Sequence, residues 1–109
     1  MKVLFDECVP VPLKRLLPGH ECVPPTSAGV AGLSNGKLLA AAAEQGIDCL
    51  LTMDKSVMKQ QNLSALPLPV LLLKARSNTV EDLAEHVPAI LGVLRQRLQR
   101  RVYVIPDRE

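Results

Sequence analysis

Short runs with hardly a polar side chain recur along the chain, and two of them run straight into an aspartate: Lys2–Phe5 into Asp6, and residues 47–52 into Asp54. Val70–Leu73 and Val102–Ile105 are further apolar runs, and residues 20–23 read as a brief strand that ends at Pro24-Pro25. Apolar side chains on successive residues hide both faces of a strand, the pattern of a parallel sheet covered on each side. The first run is expected to be the central strand.

The segments between these runs read as helices or turns. Residues 9–17 carry Pro10 and Pro12, which a first helical turn tolerates, and Pro18-Gly19 stops them. Residues 26–32 are small and read as a loop of the kind that borders sites. Ser34 or Asn35 can cap a helix with Leu38, Leu39, Ala42 and Ala43 on one face, ended by Gly46. A short helix or turn is expected over 55–63. Thr79 with Asp82 three residues on opens a long helix whose apolar stripe runs from Val80 to Leu98, kinked at Pro88. Alternation of strand and helix predicts one α/β domain over 1–109, a three-layer α/β/α sandwich on a mostly parallel five-stranded sheet.

Composition narrows what such a domain can do. The sequence is 48% apolar and 2% aromatic, so the core is built from aliphatic side chains, and base stacking is an unpromising binding mode. A net charge of +2 does not by itself imply a polyanion-binding surface, although Arg95, Arg97, Arg100 and Arg101 gather charge near the C-terminus. A solvated face explains those arginines, and contact with RNA is permitted but not required. Cys8, Cys22 and Cys49 are an odd set without Cys-x-x-Cys spacing and read as small hydrophobes in a reducing compartment. No signal-peptide pattern opens the sequence, and no apolar run is long enough to span a bilayer. The expectation is a cytoplasmic protein without a membrane partner.

Ligands of open parallel sheets collect outside the carboxyl ends of the strands, where the strand order reverses. With an order of 2-1-3-4-5, Asp6 and Asp54 would face each other across that point. Two such carboxylates repel unless a cation or proton intervenes. Mg²⁺ commonly binds through one or two carboxylates with waters and substrate phosphates, and can orient a water against a phosphodiester. Glu7 adds a third acid. Each aspartate also precedes a candidate helix and can serve simply as its N-cap. Gly36-Lys37 lacks the remainder of a phosphate-binding loop, and no spacing joins Cys8 with His20 or His86 into a zinc or nucleophilic site.

Several segments resemble the PIN-like family of short toxin-type nucleases: Leu4-Phe5-Asp6-Glu7, Leu17-Pro18-Gly19-His20-Glu21, Gly32-Leu33-Ser34-Asn35-Gly36, Leu50-Leu51-Thr52-Met53-Asp54-Lys55 and Gln60-Gln61-Asn62-Leu63. The resemblance covers about the first two-thirds of the chain, and only the combination is specific. It implies a PIN-like sandwich whose acids hold Mg²⁺ or Mn²⁺ for endoribonuclease chemistry on RNA, commonly neutralised by a protein antitoxin. On this reading Asp6 and Asp54 are catalytic metal ligands and Glu7 an auxiliary one. Asn35, Lys37, Lys55 and Asn78 are the candidate substrate contacts. Lys37 departs from the pattern, since the family commonly has glutamate there.

Lys37 can contact phosphate, pair with Asp6 or Asp54, or mark a site that no longer cleaves; a solvated lysine in a first helical turn is the plain alternative. The degenerate case would make the domain a binding or regulatory module. A receiver-like phosphoacceptor domain shares the topology, but Asp54 lacks the usual hydrophobe-proline turn after it, and the last strand ends without the expected lysine. A homodimer is the base expectation for a small sheet with an open edge.

Overall fold

Apolar side chains on both faces of each strand need cover on both sides, and the chain supplies it by returning through a helix after every strand. A computed structural model describes residues 1–33, 35–59 and 66–106. Five strands, β1 (Lys2–Phe5), β2 (Glu21–Val23), β3 (Cys49–Thr52), β4 (Val70–Leu73) and β5 (Val102–Ile105), form one sheet in the order β2-β1-β3-β4-β5. Every pairing is parallel. This is the expected α/β sandwich, in the strand order that makes β1 and β3 neighbours. The middle place belongs to β3, however, and β1 is the interior strand beside it.

The two-residue period of the strands divides the core cleanly. Val3, Phe5, Leu51 and Leu71 face one way, onto Leu83, Ile90 and Leu94. Leu4, Leu50, Val70 and Leu72 face the other, onto Leu38, Leu39 and Ala42. The first layer contains a 3-10 helix over Val11–Leu16 with α3 (Val80–Ala84) and α4 (Val87–Leu94), and the second contains α2 (Asn35–Glu44). Gly46 ends α2's turn at φ +77, the left-handed stop read from the sequence.

Three local expectations change. Within residues 9–17 the helix is a 3-10 helix over Val11–Leu16, held by i→i+3 bonds such as Leu13 N–H to the Pro10 carbonyl (3.0 Å). Within the small-residue stretch, Pro25–Ala28 makes a single helical turn, α1, with Pro25 at its start and Gly29 at φ +72 closing it. The long C-terminal helix is two helices. Its cap is as expected, Thr79 accepting from Asp82 N–H at 3.2 Å. Pro88 has no N–H for the carbonyl four residues back and its ring would clash there, so the chain breaks at residues 85–86 and Pro88 enters α4's first turn. His86, only 4% exposed, fills the joint with its ring nitrogens 3.2 Å from the carbonyls of Asp82 and Lys74. Ser34 and Gln60-Gln61-Asn62-Leu63 lie outside the described residues.

Among the described residues no helix is long and apolar enough to cross a membrane. The three cysteines are free; Cys49 is buried in β3, whereas Cys8 and Cys22 are half-buried. Burial, with a smaller push from Asp48, raises the Cys49 thiol from 9.0 to about 12. The unfolded chain releases this proton first, so stability is complete below pH 9 and is lost as pH rises toward 12. Urea titrations from pH 8 to 11 should show wild type losing more stability above pH 9 than Cys49→Ala. Equal losses would show that Cys49 is not the group responsible.

Candidate active site at the carboxyl ends of β1 and β3

Parallel pairing of β1 with β3 sets Phe5 beside Leu51, so the next residues along, Asp6 and Thr52, are also neighbours and project to the same face. Asp6 N–H extends the ladder by donating to the Leu51 carbonyl at 2.9 Å. The Asp6 carboxylate is fixed at both oxygens: Oδ2 accepts from the Thr52 hydroxyl at 2.6 Å, and Oδ1 from Glu7 N–H at 2.8 Å. Thr52, 1% exposed, accepts in turn from Asp54 N–H at 3.0 Å. One buried hydroxyl therefore joins the carboxylate after β1 to the backbone carrying the carboxylate after β3.

Asp6, Glu7, Cys8, Met53, Asp54 and Asn78 line a cleft of about 390 Å³ at this edge of the sheet. Asp54 Oδ1 accepts from Ser56 N–H at 2.9 Å, opening a 3-10 helix over Lys55–Lys59. The capping role thus holds for Asp54. It does not hold for Asp6, because the helix that follows is preceded by Pro10 without a side-chain cap. Glu7 is exposed, and its Oε1 accepts from Gly32 N–H at 3.4 Å, tying the loop after α1 to this edge. Asn78 donates through Nδ2 to the Cys8 carbonyl at 3.2 Å, bringing the loop before α3 into the cleft.

The other candidate contacts are placed differently. Lys55 is exposed immediately after Asp54, and Lys37 is exposed in the first turn of α2; neither lines the cleft. Among the described residues the salt bridge is Lys2 to Glu21 at 3.9 Å, and Lys37 forms none with Asp6 or Asp54. Of the roles open to Lys37, the ion pair with an aspartate is therefore not the one it takes among the described residues. Asn35 is the first residue of α2, and its side chain lies outside the described features.

Two residues of the site went unmarked in the sequence reading. Thr52 is the polar end of an otherwise apolar strand, a signal available in the sequence. Cys8 lines the cleft, with Sγ 3.4 Å from Met53 N–H and 3.9 Å from Thr52 Oγ1. Its place depends on the turn after β1, which no spacing rule captures.

As a donor set, Asp6 and Asp54 are two hard oxygen ligands on one cleft, within the number that Mg²⁺ or Mn²⁺ takes from protein when waters and phosphate supply the remainder. Among the described residues no group of three or more His, Cys, Asp or Glu could hold a metal ion. The residues fit a two-carboxylate site and not an all-protein cage.

Comparison with protein-family models, with curated proteins and with solved structures gave no match.

Thr52→Val keeps the side chain's shape but removes both hydroxyl interactions. It should lower stability by about 1–3 kcal/mol in urea unfolding, with Thr52→Ser recovering much of the loss. A Val variant as stable as wild type would show that the bridge contributes nothing.

Proposed function

We propose that this protein is a metal-dependent endoribonuclease of PIN-like type. The observation that carries the reading is the pair of strand-end aspartates, Asp6 and Asp54, lining one cleft across the β1/β3 boundary. The segments Leu4-Phe5-Asp6-Glu7 and Leu51-Thr52-Met53-Asp54-Lys55, which resemble that family, fall at the same two strand ends.

Asp6 and Asp54 would hold Mg²⁺ or Mn²⁺, which when bound supplies an activated water and neutralises charge building on the scissile phosphodiester. The chain's own contribution is position. Thr52 and the Glu7 amide hold the Asp6 carboxylate, so little ordering remains when a ligand arrives. Glu7, with its carboxylate at the rim, is an auxiliary ligand or an acceptor for metal-bound water. Asn78, anchored on the Cys8 carbonyl, presents a neutral amide to a substrate phosphate or sugar. Lys37 and Lys55, exposed outside the cleft, would meet the flanking backbone of a longer RNA and not the reacting phosphate. A protein antitoxin and a homodimer are further proposals that rest on the same family resemblance and on base expectation.

A second reading has its own support. Lys37 stands where the family commonly carries a glutamate, and among the described residues no three ligand-type side chains are placed to hold one metal ion. On that reading the domain binds or regulates without cleaving.

Cleavage of single-stranded RNA with Mg²⁺ or Mn²⁺ separates the two. The nuclease reading predicts turnover by wild type and a loss of roughly 100-fold or more in Asp6→Asn and in Asp54→Asn. Equal activity in all three would end it. The degenerate-site reading predicts no turnover by wild type and a gain in Lys37→Glu. Wild-type turnover that Lys37→Glu abolishes would rule it out.

A further inference from the structure

From His86 to Pro106 the sequence contains no Asp or Glu but four arginines. All four, Arg95, Arg97, Arg100 and Arg101, are exposed, and they lie on the connection from α4 to β5. This connection enters β5 at Val102, beside Val70 at the start of β4. Since every strand is parallel, the arginines sit at the amino end of the sheet and the aspartates at its carboxyl end, separated by a strand length of roughly 13 Å.

The loop has internal anchors. Gln99 N–H donates to the Tyr103 hydroxyl at 2.8 Å, and Arg101 N–H to the Gln99 carbonyl at 2.8 Å. The Arg101 guanidinium lies 3.8 Å from the centroid of the Tyr103 ring, which is itself in the core. No carboxylate among the described residues forms a salt bridge with any of the four arginines. The cations are thus carried together on a tethered loop, with no carboxylate paired to them among the described residues.

The residues between the arginines select the partner. Arg95-Gln96-Arg97-Leu98-Gln99-Arg100-Arg101 has one apolar member, the half-buried Leu98, while Gln96 and Gln99 are exposed hydrogen-bonding groups. Leu98 is the loop's single apolar member and is half-buried, so the loop offers a protein partner little apolar surface for an interface core. Guanidiniums with amides between them suit phosphate and sugar oxygens. The chain's aromatic rings, Phe5 and Tyr103, are both buried and cannot stack on bases.

We propose that the 95–101 loop is a sequence-independent contact for the phosphodiester backbone of a nucleic acid, separate from the carboxylate cleft. The inference stands on the arginines alone and not on the chemistry of the cleft.

Fluorescence anisotropy in EDTA, with labelled RNA and DNA strands of about 20 nucleotides at about 50 mM salt, reads binding without cleavage. Arg97→Gln/Arg100→Gln leaves the Arg101–Tyr103 stack in place. Lys14→Gln/Arg15→Gln removes the same charge from exposed positions on the 3-10 helix. Circular dichroism checks that both variants fold. The arginine variant should lose about 10-fold or more in affinity and show a salt slope shallower by about 1.4, with the control within about twofold of wild type. Binding of RNA alone or of both strands fits the proposal and identifies the nucleic acid. Three results would overturn it: wild type binding neither strand, the two variants weakening binding equally, or poly-glutamate binding as tightly as the nucleic acids. Loss of the loop's binding would leave the cleft's nuclease reading standing, and failure of the aspartate substitutions to stop cleavage would leave the loop's contact standing.

Discussion

Everything in the candidate site depends on the parallel pairing of β1 with β3. Phe5 lies beside Leu51, and one further step along each strand brings Asp6 beside Thr52. A slip of one residue would turn Asp6 toward the opposite layer, among Phe5's aliphatic neighbours, where an unpaired carboxylate is costly to bury. Register is held by aliphatic side chains on both faces: Phe5 and Leu51 toward α3 and α4, Leu4 and Leu50 toward α2. The apolar core therefore fixes a polar constellation without contributing to its chemistry.

Within that frame the Thr52 hydroxyl reconciles two neighbouring strand ends that both carry acids. It donates to Asp6 and accepts from the Asp54 backbone, so one carboxylate and the main chain that carries the other meet at one buried hydrogen-bonding centre. Asp54 has a second task at the start of the 3-10 helix after β3, through Ser56 N–H. That structural task leaves the side chain capacity for a ligand, since each carboxylate oxygen can accept more than one bond. Asp6 has no such helix to cap, which makes it the aspartate less easily explained by local structure.

Much of this architecture was legible in the sequence because it rests on patterns of short period. Apolar runs marked four of the five strands, β2 being a short mixed segment ended by prolines; the small-residue face of α2 and its Gly46 stop were readable, as was the Thr79 cap. Alternation of strand and helix implied parallel strands but not their order, so the meeting of Asp6 and Asp54 was legible only on the condition of the order 2-1-3-4-5. Less was legible where a local element competes with proline. Pro88 was read as a kink but divides the helix, since His86 offers the broken joint a buried side chain with two carbonyl neighbours. Pro12 likewise sits in a 3-10 helix and not in an α-helix. Tertiary partners were the least legible: Cys8 and the contact from Asn78 to its carbonyl join segments seventy residues apart by loop geometry alone. Lys37, the sequence's irregularity, sits exposed on α2 and outside the cleft lining, so its side chain does not stand in for a metal charge between the aspartates.

The central claim is that Asp6 and Asp54 form a divalent-cation site across the β1/β3 boundary. Titration of the purified protein with Mn²⁺, following free ion by electron paramagnetic resonance, tests it without reference to any substrate. The account predicts stoichiometric binding by wild type that is lost in the Asp6→Asn/Asp54→Asn double variant while the fold persists. Equal binding by the two proteins, or no stoichiometric binding by wild type, would contradict it.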